Sequence, residues 1–323
     1  MSRRPAPPLP VTARRVLRGD RQALARLISQ VENRDPAALP SVRALYAHSG
    51  RATVVGITGP LGVGKSSLLN LLLAHLRAQG KSVGIVAVDP SSPFSGGSIL
   101  GDRIRLDRPA GDGGVFIRSM AARGHAGGVA LATRETVRLL DAFGLEVILV
   151  ETVGSGQADV EIHDVASTSV VVVVPHLGDE VQSLKAGLFE IADVFCVNKS
   201  DLPGADSAAR YLTEMTQLVS GKATWRPAVV RTSTAVPSGI SELWEAIRSH
   251  EAFLDADGSR RARDRQRLTD EILGLVRERV DTQLATALDR EPDLQALLDR
   301  VVAREIDPHS AADRLLREVR RGR

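Results

Sequence analysis

What this 323-residue sequence lacks narrows its identity first. It has one cysteine, Cys196, so no internal disulfide and no cysteine-based metal cluster can form within the chain. That cysteine lies in Val194-Phe195-Cys196-Val197, where it reads as a small buried hydrophobe rather than a reactive thiol. Long apolar runs are missing too. The longest strand-like one, Val170 to Pro175, is far too short to cross a bilayer, so no membrane partner is expected. Charge of one sign is not in excess: a formal net charge of +3 is small for this length and gives no support to a nucleic-acid partner. No secretory segment with an apolar centre opens the chain. Its first fifteen residues are Arg-rich and free of acids, a faint likeness to an organelle transit segment, but their proline density favours a disordered tail. A cytoplasmic location is expected. Internal repeats and sustained heptads are also absent. Hydrophobic residues at 43% and charged residues at 25% are ordinary for a soluble globular protein. The length suits one domain of usual size with appendages.

The stretch around which the rest is arranged is Gly59 to Ser67, reading GPLGVGKSS, a Gly-x-x-x-x-Gly-Lys-Ser loop. Before it, Thr53 to Ile57 has the β-branched composition of a buried strand; after it, Leu68 to Leu76 is Leu-rich and free of Pro and Gly, as a buried helix is. Strand, glycine loop and helix are the context a phosphate cradle requires, which an ordinary Gly-rich turn does not supply. Gly59, Gly62 and Gly64 let the backbone turn and aim N–H groups at phosphate oxygens, with Val63 and Ser67 completing the loop and the helix start. Lys65 is placed to reach the β- and γ-phosphates, and the Ser66 hydroxyl to bind Mg²⁺.

Further along, apolar runs at Val83 to Val88, Val115 to Ile117, Val147 to Val150, Val170 to Val174, Val194 to Val197 and Ala228 to Val230 read as strands buried on both faces. Helical patterns separate them, notably Val129 to Phe143, Ser207 to Leu218 and Ile240 to Ile247. The expected fold is α/β: a mainly parallel sheet flanked by helices, with helical extensions at both ends. Residues 1–50 read as a tail and an arm of one or two helices with Asp20 as an N-cap, 51–254 as the nucleotide-binding domain, and 255–323 as a helical extension. The stretch Asp255 to Arg265 reads as a linker or a helix start. The extension is too thin to make its own core and must pack on the α/β unit or on another subunit, with the second favoured.

Asn198-Lys199-Ser200-Asp201 follows a strand directly, giving Asn-Lys-x-Asp at the carboxyl edge of the sheet, where α/β folds bind ligands. A carboxylate there can accept from the N1–H and N2–H₂ of guanine, a donor pair that adenine does not present. GTP and GDP are therefore the expected ligands. Lys199 would lie along the base and ribose, Asn198 would tie its loop to the cradle, and Thr232, Ser233 and Thr234 are placed to support the base. Asp89 and Glu151 end strands at the same edge as Ser66 and suit Mg²⁺, which takes oxygen ligands beside phosphates. Asp102 is a third candidate acid, and the Gly154 N–H, in Glu-Thr-Val-Gly, could sense the γ-phosphate. The place of a water-orienting glutamine after that glycine holds Ser155, with Gln157 the nearest glutamine, so slow intrinsic turnover is predicted. Arg103, Arg105, Arg123 and Lys185 are possible charge stabilisers, acting when a partner orders their loops.

The run Asp89-Pro90-Ser91-Ser92-Pro93-Phe94-Ser95-Gly96-Gly97-Ser98-Ile99-Leu100-Gly101-Asp102-Arg103 closely resembles the signature of the methylmalonyl-CoA mutase-associated GTPases, the MeaB/ArgK type. So do Phe116-Ile117-Arg118 with Gly127-Gly128, Val150 to Gln157, and Gly178 to Gln182 through Lys185. The resemblance spans about residues 20 to 250. It implies a SIMIBI-class P-loop GTPase that forms a homodimer through its helical C-terminal extension. It also implies a metallochaperone-like role: gating cofactor loading from an adenosyltransferase into an adenosylcobalamin-dependent acyl-CoA mutase, and protecting that mutase. By the same resemblance Lys65, Ser66, Asp89, Asp102 and Glu151 surround Mg–GTP, while Asn198, Lys199 and Asp201 read guanine. Asp179, Glu180, Gln182 and Lys185 look like the switch that carries the partner's signal, with Arg105 as a candidate contact. Leu61 stands where the family carries proline, and His176-Leu177 replaces small residues before Gly178. Asp307-Pro308-His309 resembles the start of a corrinoid motif, yet Ala312 occupies the required glycine position, and helix-start chemistry explains it better.

Three rival functions share parts of this pattern. A nickel-insertion GTPase would need a Cys/His cluster, whereas the histidines here are scattered. A small-molecule P-loop kinase lacks the guanine reader. A nucleotide-gated adaptor for another client would treat hydrolysis as incidental.

Overall fold

In the computed structural model the described residues are 8–89, 112–121, 128–152, 161–175, 186–219, 225–290 and 292–321. They divide into two compact units, Met1–Arg260 and Arg261–Arg323. The first unit opens with helices α1 (Val11–Leu17), α2 (Arg21–Glu32) and α3 (Leu39–Tyr46), so the arm holds more helices than the sequence pattern suggests. Short polar breaks explain the difference: Gly19 takes a left-handed φ of 83°, and the Asp35-Pro36 pair opens a 3₁₀ turn before α3. Asp20 caps α2, accepting from the Ala23 N–H at 3.0 Å, and that bond is the main cause holding its carboxyl below the usual range.

Seven parallel strands follow: β1 (Thr53–Thr58), β2 (Val83–Asp89), β3 (Val115–Ala121), β4 (Val147–Thr152), β5 (Thr168–Val173), β6 (Val194–Val197) and β7 (Ala228–Arg231). Their order is β3-β2-β4-β1-β5-β6-β7, with β1 at the centre. The expected α/β class with a parallel sheet is what the structure has. Helices α4 (Lys65–Ala78), α5 (Gly128–Phe143), α6 (Ala186–Glu190), α7 (Ala205–Val219) and α8 (Ile240–Ala256) cover the two faces. β3 runs to Ala121, well past the apolar triplet at its start, because Arg118 and Ser119 are carried by ladder pairing with Val86 and Ala87. Polar residues inside a paired strand are invisible to a search for apolar runs.

Alternation along the strands sorts the core into layers. Val55, Ile57, Val147, Leu149, Val170 and Val172 pack with Leu68, Leu69, Leu72 and Leu76 of α4 and with Leu243, Trp244 and Ile247 of α8. Val86, Val88, Ile148 and Val150 point the other way, onto α5 and onto Leu24, Leu27, Ile28 and Val31 of α2. The N-terminal arm is thus part of one covering layer of the sheet. A salt bridge from Arg118 to Glu32 and a bond from Arg21 to the Gly113 carbonyl at 2.8 Å pin α2 to β3. On the β5–β6 side, Val171, Val173, Phe195 and Val197 pack against Leu188 of α6 and Ala208 and Leu212 of α7. Trimming any fully buried leucine here would cost roughly 2–5 kcal/mol.

The second unit consists of most of α9 (Ser259–Arg290) with α10 (Pro292–Val302) and α11 (Pro308–Arg321). The Arg-rich stretch from 255 holds the end of α8 and a helix start, with Gly258 in a left-handed turn between them. Asp307 accepts from the Ser310 N–H at 3.0 Å and its hydroxyl at 2.5 Å, so this segment does cap a helix. The Ser310 hydroxyl is the leading cause of the lowered Asp307 carboxyl. Among the described residues no helix is long and apolar enough to cross a membrane.

Candidate functional site

Of the residues proposed to hold nucleotide, those that are described lie on strand ends and loops at the carboxyl edge of the sheet, beside the end of β1. There the chain must turn from a strand into α4 within six residues, and glycine makes that possible. Gly59 has φ +140°, and a Cβ there would stand 2.2 Å from the Val172 carbonyl oxygen of β5. Gly64 has φ +92°, and its Cβ would stand 2.6 Å from Nδ2 of Asn198. Gly62 is left-handed as well, at +81°, but faces open space.

The loop these glycines shape surrounds the Lys65 side chain. That side chain is buried, and its ammonium donates to the carbonyls of Gly59 at 2.7 Å and Pro60 at 2.9 Å. Val63 is buried, whereas Ser66 and Ser67 are exposed in the first turn of α4. The Ser66 hydroxyl donates to Oε1 of Glu151 at 2.6 Å, joining the helix start to the end of β4. Glu151 is 9% exposed and pairs in register with Ile57 on one side and Ala87 on the other. Asp89 closes β2 opposite Ala121, one step beyond the register partner of Thr152.

The second loop grows from β6. Asn198 is fully buried; its amide donates to the Val63 carbonyl at 2.8 Å, and its Oδ1 accepts from Oγ1 of Thr232 at 3.2 Å. Lys199 adopts a left-handed φ of 55°, uncommon for a lysine, and donates to the Gly62 carbonyl at 3.0 Å. Asp201 is exposed and accepts from the Ser233 hydroxyl, which in turn accepts from the Val236 N–H at 3.1 Å. Thr234 is half-buried beside it. Cradle and base loop are therefore one hydrogen-bonded body.

Thr232 departs from its expected place beside a base. It is fully buried, and its hydroxyl is spent on Asn198 and, at 3.1 Å, on the Cys196 sulfur. Cys196 is buried, and burial pushes its thiol up to about 12, with the Thr232 hydrogen bond acting weakly the other way. Sequence reasoning also passed over a buried hydroxyl pair, Thr152 Oγ1 donating to Thr58 Oγ1 at 2.9 Å. Its only trace in the sequence is that each threonine adjoins a motif. Asp102, Arg103, Arg105, Arg123, Gly154, Ser155, Gln157, His176, Leu177, Asp179, Glu180, Gln182 and Lys185 lie outside the described residues.

Comparison with known proteins decides the family. The profile of the family described as "Methylmalonyl Co-A mutase-associated GTPase MeaB" matches residues 24–289. The chain belongs to the MeaB/ArgK family. Among its relatives, a Pyrococcus abyssi protein named as a GTPase is 46% identical to this MeaB-family chain over 308 residues, 94% of this chain and 95% of its own. GTPase ArgK of Escherichia coli is 36% identical over 253 residues, 76% of each chain. A crystal structure described as an LAO/AO transport system kinase superposes with a TM-score of 0.67 at 26% identity, covering 96% of both chains.

Proposed function

We propose that this MeaB-family chain binds GTP with Mg²⁺, hydrolyses it slowly to GDP and phosphate, and uses that cycle to assist an adenosylcobalamin-dependent acyl-CoA mutase of the methylmalonyl-CoA mutase type. The observation that carries the reading is the Asn198–Val63 bond of 2.8 Å, which makes the Asn-Lys-x-Asp loop and the phosphate cradle a single rigid frame. A ligand spanning both must present phosphate at one end and a purine at the other.

The roles follow from placement. Backbone N–H groups of the loop and the start of α4 take phosphate oxygens. An ammonium already seated within the loop, that of Lys65, is where the β- and γ-phosphates would meet it. Asp201, held by Ser233, is the proposed guanine reader, with Asn198 and Lys199 fixing its loop. Ser66 and Glu151 give an all-oxygen donor set 2.6 Å apart, which fits Mg²⁺, and Asp89 and Asp102 are the further candidates. When bound, the ion neutralises charge on the phosphates. Arg105 is the proposed charge stabiliser, and Asp179, Glu180, Gln182 and Lys185 the proposed switch through which the mutase raises the rate.

The client assignment is supported by the family's description as mutase-associated. Assembly as a homodimer is supported by apolar side chains exposed within the C-terminal unit, Ile272, Val276, Leu298 and Val302 among them. The test is GTP hydrolysis with and without purified methylmalonyl-CoA mutase. The reading expects at least about a tenfold rise in rate with the mutase, well within the gain that completing a GTPase site can give. An unchanged rate across acyl-CoA mutases would overturn the client assignment.

A further inference from the structure

We infer that the buried Thr58–Thr152 hydroxyl pair is a positioning device for the γ-phosphate, setting how strongly the site prefers a triphosphate to a diphosphate. The inference rests on the guanine-nucleotide reading above. The two oxygens lie 2.9 Å apart, and the residues are 0% and 2% exposed. β1 and β4 pair in register at Ile57 and Glu151, so Thr58 and Thr152 extend that ladder by one step. Alternation turns them to the face opposite the Ser66–Glu151 bond, and both are buried.

Their importance lies in what each adjoins. Thr58 is followed by Gly59, which opens the phosphate loop and lies too close to the Val172 carbonyl to carry a side chain. Thr152 follows Glu151 and leads directly to Val153 and Gly154, the proposed γ-phosphate sensor. A hydrogen bond between two buried hydroxyls prescribes one separation and one orientation, which apolar contact at the same place does not. It thereby fixes the spacing between the loop that holds the β-phosphate and the strand end that starts the sensor. A diphosphate needs only the first of these, whereas a triphosphate needs both.

The pair's contribution should therefore appear in the ratio of two affinities. A merely structural role would move both affinities alike. Fluorescent GDP and a fluorescent non-hydrolysable GTP analogue would be titrated into full-length wild type, Thr58→Val, Thr152→Val, Thr152→Ser and the double valine variant. We expect Thr152→Val to lower affinity for the analogue about tenfold with GDP affinity changed by no more than about twofold. Thr152→Ser should retain the wild-type ratio, and the double variant should be no worse than either single one. Should Thr152→Val fail to fold, Thr58→Val against Thr152→Ser gives the same contrast. Equal losses for both nucleotides, an unchanged ratio, or a serine variant behaving like valine would overturn the positioning role. Wild type that binds no guanine nucleotide would instead overturn the nucleotide reading and, with it, this one.

Discussion

Asn198 and Val63 stand 135 residues apart in sequence, yet the Asn198 amide donates to the Val63 carbonyl at 2.8 Å. Thr232 holds the other end of that amide through Oδ1, which directs the nitrogen at the loop. The Asn198 backbone N–H donates to the Val173 carbonyl at 2.8 Å, so the residue is held at three points, two on its side chain and one on its backbone. This buried residue, together with the Lys199–Gly62 bond, links the glycine loop to the Asn-Lys-x-Asp loop.

Asn198→Ala removes that link and leaves a buried carbonyl and the Thr232 hydroxyl without it. Unfolding free energy should fall by about 1–3 kcal/mol in urea titrations. Affinity for GDP should fall by at least about tenfold, because the base loop is no longer registered on the cradle. Asn198→Ala with undiminished affinity would show that the two loops are positioned by other means.

The three left-handed loop glycines are not equivalent. Gly59→Ala drives a Cβ to 2.2 Å from the Val172 carbonyl, a backbone atom that cannot rotate away. It should cost at least about 3 kcal/mol, or prevent folding. Gly62→Ala meets nothing within 4 Å and bears only the left-handed backbone penalty. Its cost should be about 1–2 kcal/mol. Thermal melts of the two variants check the order, and equal melting temperatures would refute the packing argument.

Cys196 gives a prediction in pH. Burial raises its thiol from 9.0 to about 12, so between those values the unfolded chain has lost a proton that the folded chain keeps. The stability it contributes is complete below pH 9 and is lost as pH rises through 12. Urea midpoints should therefore decline across that interval, and decline less in Cys196→Ala. A thiol reagent at about pH 8 should label the unfolded protein and spare the native one. Native labelling at the unfolded rate would contradict the burial.

The sequence made the phosphate loop, the Asn-Lys-x-Asp loop and most strands legible, because each is a local signal: glycine spacing, a motif at a strand end, a β-branched run. The polar second half of β3 was not legible, since Arg118 and Ser119 belong to a strand only through pairing with β2. Thr232 is the clearest case within the site. Its neighbours suggested a place beside the base, but burial against Cys196 and Asn198 is a relation among strands that no one segment encodes. The Thr58–Thr152 pair depends likewise on the β1–β4 register. Break points in the helical arm were missed for a smaller reason, a single glycine and an Asp-Pro pair.

The central claim is that Asp201, steadied by Ser233, chooses the purine. Calorimetric titration of GDP, ADP and xanthosine diphosphate into wild type and Asp201→Asn measures it directly. The account predicts that wild type favours GDP over ADP by at least about a hundredfold, and that Asp201→Asn loses that preference while gaining xanthosine diphosphate. Equal affinity of the wild type for GDP and ADP, or an Asp201→Asn variant that binds GDP as before, would contradict it.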